Sequence, residues 1–297
     1  MNKDFSEEVA QRTCQIEKIL DKYLPKEEGY QKTVIEAMNY SVRAGGKRLR
    51  PMLMWETYRM FGGRSEVIEP FMAAIEMIHT YSLVHDDLPA MDNDEFRRGK
   101  KTTHAQYGEA MGILAGDGLL NYAFETAAGA FELEPANMQI GKAISVLANK
   151  AGIYGMLGGQ CVDVEAEGKS VTEETLRFIY RLKTGALLET SMMIGAILAG
   201  ATKSEQQKVE QAAGELGLAF QIQDDILDVT STTEDLGKPV GSDEKNHKTT
   251  WVTLFGIEQA KQDVEELSRH SVTLMDTLVV KNEFLTTLML DLIHRKK

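Results

Sequence analysis

Proline is scarce in this chain, with six in 297 residues. Inside a helix a proline removes a backbone hydrogen bond and clashes with the preceding turn, so its scarcity leaves room for long helices. Cysteine is scarcer still. Cys14 and Cys161 stand far apart and give neither a disulfide framework nor a zinc-ligand spacing. No apolar run reaches the roughly 18 residues that a membrane span needs. The opening residues MNKDFSEEVAQ lack the apolar core of a secretion signal, so the expected location is cytoplasmic. An excess of basic charge is also missing. The net charge of −12 argues against nonspecific nucleic-acid binding. An anionic substrate would meet an unfavourable overall field and would need local positive patches or a metal ion.

Helix formers (Ala, Leu, Met, Glu and Lys) are plentiful, and 43% of the residues are hydrophobic. An all-α chain is expected. No Pro/Gly/Ser-rich linker marks a boundary, so residues 1–297 are read as one domain. Apolar residues at near-helical spacing predict helices over 4–23, stopped by Pro25, and over 30–43, ended by Gly45 and Gly46. Further helices are expected over 67–87, 105–131, 139–157, 172–200, 204–228, 251–269 and 272–294. The polar stretch 230–250 is long for a plain connection and reads as a lid.

Within this helical pattern sits a dense run of charge. LVHDDLPAMDNDEFRRGKK (83–101) carries Asp86, Asp87, Asp92, Asp94 and Glu95, then Arg97, Arg98, Lys100 and Lys101. An acid cluster that runs into a basic one suits a metal–phosphate site: carboxylates hold Mg²⁺, the metal holds phosphate oxygens, and basic groups take the remaining charge. Asp92 follows Asp86 by six residues with Pro89 between, so the two cannot share one helical face. The helix is expected to end near Leu88 and a loop to fold Asp92 back toward Asp86. A second cluster, Asp224, Asp225 and Asp228 in FQIQDDILD, places Asp224 and Asp228 at i, i+4 on one face. Adjacent carboxylates on apolar flanks are unfavourable unless a cation compensates them.

Other segments read two ways. Residues 43–50 hold four basic groups and no acid, which suits either a solvated loop or an anion cradle. His79 lies two turns before Asp86, as a packed core histidine or as part of a site. Gln160 and Asp163 put polar groups inside an apolar segment. Lys183 either reaches out to water or points at an anion.

Taken in order, GGKRLRP (45–51), HTYSLVHDDLPAMDNDEFRRGK (79–100), GGQCVD (158–163), KTG (183–185), FQIQDDILD (220–228) and LGKPVGSDEKNHKTT (236–250) resemble the trans-isoprenyl diphosphate synthases over essentially the whole chain. The motifs look like those of the bacterial farnesyl diphosphate synthase type. The resemblance implies a single-domain helical bundle around a deep central cavity, usually a homodimer, that condenses isopentenyl diphosphate with dimethylallyl and geranyl diphosphate. It implies that Asp86, Asp87, Asp92, Asp224, Asp225 and Asp228 hold three Mg²⁺, with Mn²⁺ as the alternative. Arg97, Lys183, Lys238 and Lys248 would contact the allylic diphosphate. Lys47, Arg50, His79 and Arg98 would bind that of isopentenyl diphosphate. Thr184 and Gln221 would face the reacting carbons. Tyr81, with Ser82 beside it, resembles the farnesyl pattern that limits chain length. Tyr81 is five residues before Asp86, about 7.5 Å along the helix, and its other reading is simple packing. Glu95-Phe96, Lys101-Thr102-Thr103 and Trp251 depart from the commoner family pattern without removing a ligand. Rival readings are a geranylgeranyl product, a terpene cyclase, and a noncatalytic partner subunit. The retained second acid cluster and the basic residues speak against the last two.

Overall fold

A computed structural model describes residues 3–230 and 249–293. Its long elements are all helical. A two-stranded hairpin, β1 (Phe96–Arg97) and β2 (Lys100–Lys101), is the only sheet among the described residues. None of the described helices is long and apolar enough to cross a membrane. The residues group into two compact units, one comprising 1–55 and 64–144, the other 56–63 and 145–297.

The first unit opens with α1 (Lys3–Tyr23), which stops two residues before Pro25, as the restriction on residues preceding proline requires. It continues with α2 (Lys32–Val42), the start of α3 (Leu49–Met60), and α4 (Glu69–Asp86). A 3₁₀ turn at Glu66–Ile68 leads into α4. After the hairpin come α5 (Thr103–Tyr107), α6 (Glu109–Ala128), α7 (Ala130–Leu133) and the first part of α8 (Gln139–Ala151). The expected single helix over 105–131 is broken at Gly108, whose φ of +90° ends α5 and starts α6. The core is α4 packed on α6. Phe71, Met72, Ile75 and Ile78 of α4, and Ala115, Leu119 and Ala123 of α6, are fully buried.

The second unit holds α9 (Met156–Glu165), α10 (Glu173–Ile179), α11 (Ala186–Leu198), α12 (Lys203–Thr230), α13 (Trp251–Phe255), α14 (Ile257–Asp276) and α15 (Glu283–Ile293). Between α10 and α11, Tyr180–Gly185 forms a π-helical turn. α12, 28 residues and about 42 Å long, is the spine against which α11, α14 and the π-turn pack. Lys150 binds Glu189 and, at 2.7 Å, Glu210, so one half-buried ammonium ties α8, α11 and α12 together.

Two expected boundaries are corrected. The helix predicted to end at 157 ends at Ala151, and Met156 and Leu157 belong to the next helix, α9. The break falls at Gly152–Gly155, where a Cβ on Gly155 would sit 1.9 Å from the Lys150 carbonyl oxygen. The boundary predicted near 270 does not exist, since α14 runs to Asp276 and Ser271 is buried, donating to the Ala212 carbonyl. No breaker residue stands at Arg269-His270-Ser271, so local propensity never favoured a stop there.

α12 meets the π-turn at backbone distance, with a Cβ on Gly217 falling 2.6 Å from Gly185 Cα. Alanine at 217 therefore has to push main chain, and Gly217→Ala is expected to destabilise the protein by about 1–3 kcal/mol. Urea denaturation measures this, and a midpoint unchanged from the parent would show that α12 adjusts freely.

Candidate active site

In the first unit the GGKRLRP loop is shaped by an arginine that points inward. Arg48 has φ +48°, uncommon for a residue with a side chain. Its guanidinium is buried, donating to Glu17 Oε1 and Glu76 Oε1 at 2.7 Å each and to the Val42 carbonyl at 2.7 Å. Arg48 is thus consumed as a structural ion pair. Lys47 stays on the exposed loop, and Arg50 opens the first turn of α3.

The hairpin docks on this loop. Its turn residues, Arg98 and Gly99, both have positive φ, as a tight hairpin turn requires. Arg98 donates to the Gly45 carbonyl, Lys100 to that of Arg43 at 3.2 Å, and Tyr40 to that of Lys101 at 2.8 Å. A Cβ on Gly46 would lie 2.7 Å from the Arg98 guanidinium, which explains the second glycine. Arg50, Arg98, Arg97 and Arg48 all lie close enough to His79 to disfavour its charged form. Burial is the larger cause, and together they hold the imidazole well below its ordinary value of 6.5. Burial lowers Arg50 to about 10, with Glu76 opposing and Arg98 assisting. Arg50 Nε is buried with no hydrogen-bond partner. Of the residues expected to bind one diphosphate, Arg50, His79 and Arg98 therefore share an environment of surplus positive charge, and an orphaned guanidinium donor awaits an acceptor.

The acid cluster lies at the C-terminus of α4. The helix ends at Asp86, and the chain turns back so that the Asp92 amide donates to the Asp86 carbonyl at 2.9 Å, the fold-back expected from Pro89. Asp87 is buried. Its Oδ1 receives both Nε and Nη2 of Arg97 at 2.7 Å. Burial raises the Asp87 pKa, and Asp94 and Asp92 raise it further against the pull of Arg97. Arg97, expected to contact diphosphate, is thus partnered by an expected metal ligand. Tyr81 is buried, and burial with Asp86 nearby pushes its phenol up to about 12, so it is neutral. Ser82 turns its hydroxyl back to the His79 carbonyl at 2.9 Å.

In the second unit, Lys183, Thr184, Gln221 and Asp225 line one cavity of about 200 Å³ together with Asp163 and Tyr180. Lys183 Nζ meets Asp163 Oδ2 at 2.6 Å, and Thr184 donates to Gln221 Oε1 at 2.8 Å. A π-turn widens the helix by one residue and is frequent at functional sites. Here it carries Lys183 and Thr184, and Gly159 lets α9 approach to where a Cβ would stand 2.2 Å from the Lys183 amide. Asp225 is buried and its Oδ2 accepts from Tyr180 at 2.5 Å and from the Trp251 amide at 2.7 Å. Asp224 and Asp228 lie one turn apart on α12. Lys238, Lys248 and most of the expected lid lie outside the described residues.

Asp163, Tyr180 and Trp251 were not among the expected site residues. Asp163 carried a signal, a carboxylate inside an apolar helix. Tyr180 and Trp251 carried none, because their bonds to Asp225 depend on tertiary packing.

The acid residues fit Mg²⁺. Carboxylate oxygens are hard donors, and Mg²⁺ takes one or two of them with water and phosphate in its other positions. The crowding of Asp87 by Asp92 and Asp94 is a local excess of negative charge that a cation relieves. Among the described residues no three acidic, imidazole or thiol groups form a closed metal cage by themselves.

The His79 environment yields a titration test. A histidine whose folded pKa is depressed binds fewer protons folded than unfolded, so its protonation weakens the fold as pH falls below about 6.5. An anion seated against Arg50 and Arg98 offsets the repulsion. Adding inorganic diphosphate is expected to raise the His79 pKa, read by proton NMR of the imidazole. An unchanged titration would place the anion elsewhere.

The polyprenyl synthetase family pattern matches residues 31–278. A farnesyl diphosphate synthase of Geobacillus stearothermophilus is 47% identical over 260 residues, covering 86% of this chain and 87% of that one. A geranylgeranyl diphosphate synthase of Cyanophora paradoxa is 47% identical over 253 residues, covering 85% and 83%. Among solved structures, an FPP/GFPP synthase of Zymomonas mobilis superposes with a TM-score of 0.85 at 32% identity, over 97% of this chain and 98% of that one. These relatives carry different product names. The chain belongs to the polyprenyl synthetase family, the trans-prenyl diphosphate synthases.

Proposed function

We propose that this synthase condenses isopentenyl diphosphate with dimethylallyl and then geranyl diphosphate, ending at farnesyl diphosphate. The observation that carries the product assignment is Tyr81: a bulky ring, buried on α4, five residues before the carboxylate at which the diphosphate is handled. Along the axis of α4 this ring stands about 7.5 Å deeper than Asp86, and in this reading a growing tail stops where it reaches that depth.

The side chains supply the rest of the reaction. The allylic C–O bond breaks with its electron pair leaving on diphosphate, and the carbon becomes a cation. Mg²⁺, held by Asp86, Asp87, Asp92, Asp224, Asp225 and Asp228, would stabilise the leaving charge when bound. Lys183, oriented by Asp163, adds an ammonium beside it. Thr184 donates its hydroxyl hydrogen bond to Gln221 Oε1, so its oxygen keeps lone pairs to face a developing cation. Arg50, His79 and Arg98 hold the second diphosphate, with Lys47 at the loop. The double bond of isopentenyl diphosphate attacks the cation, and the proton lost afterwards goes to the departed diphosphate. No side chain is assigned as the base. Lys238 and Lys248 complete the allylic diphosphate contacts in this reading. A homodimer fits the apolar side chains that α6 exposes at Ile113 and Leu114.

Incubation with Mg²⁺, isopentenyl diphosphate and dimethylallyl or geranyl diphosphate, followed by sizing of the dephosphorylated products, is expected to give mainly a fifteen-carbon alcohol. Tyr81→Ala is expected to lengthen it, and a product of twenty carbons from the parent protein would overturn the Tyr81 assignment while keeping the reaction. Asp86→Ala is expected to lower turnover by several orders of magnitude with an unaltered helical circular dichroism spectrum. Retained turnover would remove Asp86 from the metal site.

A further inference from the structure

The ring of Tyr81 does not hold its position alone. His85 follows it by four residues on α4, the spacing that stacks side chains on one face. The two rings meet edge to face, with centroids 5.8 Å apart and planes at 84°. His85 is fixed from the other side by α6. Its Nε2 lies 3.1 Å from the Ile113 carbonyl oxygen, which can only accept, so Nε2 carries the proton. Asp117 Oδ1 is 3.8 Å from the same nitrogen.

The imidazole reaches α6 because of a missing side chain. A Cβ on Gly116 would lie 2.0 Å from His85 Nε2 and 2.2 Å from Cδ2. Glycine is a poor helix residue, and this one sits in the middle of a helix of 20 residues with no positive φ to demand it. The close approach of the His85 ring accounts for it. The notch at Gly116 seats the imidazole, the Ile113 carbonyl orients it, and its ring stands edge to face against that of Tyr81.

We propose that His85, seated in the Gly116 notch, is a positioning residue that sets product length by holding Tyr81 in place. This rests on the reading of Tyr81 as the chain-length stop. Without the imidazole the phenol ring gains rotational freedom, and a longer prenyl tail can displace it.

The test compares product distributions of His85→Ala, Tyr81→Ala and the double variant. His85→Ala is expected to raise the share of products beyond fifteen carbons several-fold, Tyr81→Ala to raise it more, and the double variant to match Tyr81→Ala alone. A role in stability or metal binding would change the rate but leave the product ratio of the turnovers that occur. If Tyr81→Ala lengthens the product and His85→Ala does not, the positioning role is wrong and the chain-length stop stands. If Tyr81→Ala leaves the product unchanged, the stop itself fails, and this inference with it. A double variant whose products exceed those of Tyr81→Ala would show that His85 acts independently, which also overturns the proposal. Should His85→Ala not fold, Gly116→Ala displaces the same ring from the opposite side. It is expected to alter the product ratio in the parent background and to have no effect on it in the Tyr81→Ala background. An unaltered ratio in the parent background would reject the notch.

Discussion

The first unit depends on one buried guanidinium. Arg48 is drawn inward between Glu17 of α1 and Glu76 of α4, and that contact closes the loop between α2 and α3. Removing one member of such a buried pair costs about 3–5 kcal/mol, because the other is left uncompensated. The pair also decides which neighbours remain available. Glu76 is the carboxylate that Arg50 and Arg98 also sense, and Arg48 engages it directly. Arg50 therefore keeps a buried donor without an acceptor. A strained backbone at Arg48 and a surplus of positive charge around His79 have the same origin.

The second unit solves a different problem. Lys183 and Thr184 line a cavity, yet they belong to a helical stretch whose other residues are packed. The π-turn widens the helix locally, and close backbone approach at Gly159 and Gly217 clamps it from two sides. The polar groups of the cavity wall are paired among themselves, Lys183 with Asp163, Thr184 with Gln221, and Asp225 with Tyr180 and Trp251. Pre-set donors of this kind avoid reorganisation during reaction.

The all-α class was legible from composition, and the ends of α1, α2 and α4 from Pro25, the Gly45-Gly46 pair and the Asp86–Pro89 segment. The fold-back of Asp92 onto Asp86 followed from helical geometry together with Pro89. Glycine was read less well. The end placed at 157 falls instead at Gly152–Gly155, and Gly159 is where α9 meets the π-turn, because the sequence does not say which backbone approaches. The inward turn of Arg48 was hidden for a similar reason. The four basic residues of 43–50 look alike until Glu17 and Glu76, distant in sequence, select one of them. The hairpin at 96–101 is short and charged, with none of the alternation that marks a strand, and its existence follows from docking onto the Gly45–Arg48 loop.

The widened turn at Tyr180–Gly185 also changes how this site relates to its own helix. A π-turn holds one more residue than the α-helix it interrupts, so everything after it is rotated by about 100° relative to an unbroken count. Deleting a single residue there would let α10 and α11 join as one continuous α-helix, with the faces of both still directed at their present neighbours. The packing would survive, and the placement of Lys183 toward Asp163 and of Thr184 toward Gln221 would be lost. On this helix the difference between a scaffold and a site is one inserted residue, a change of length that no series of substitutions reproduces.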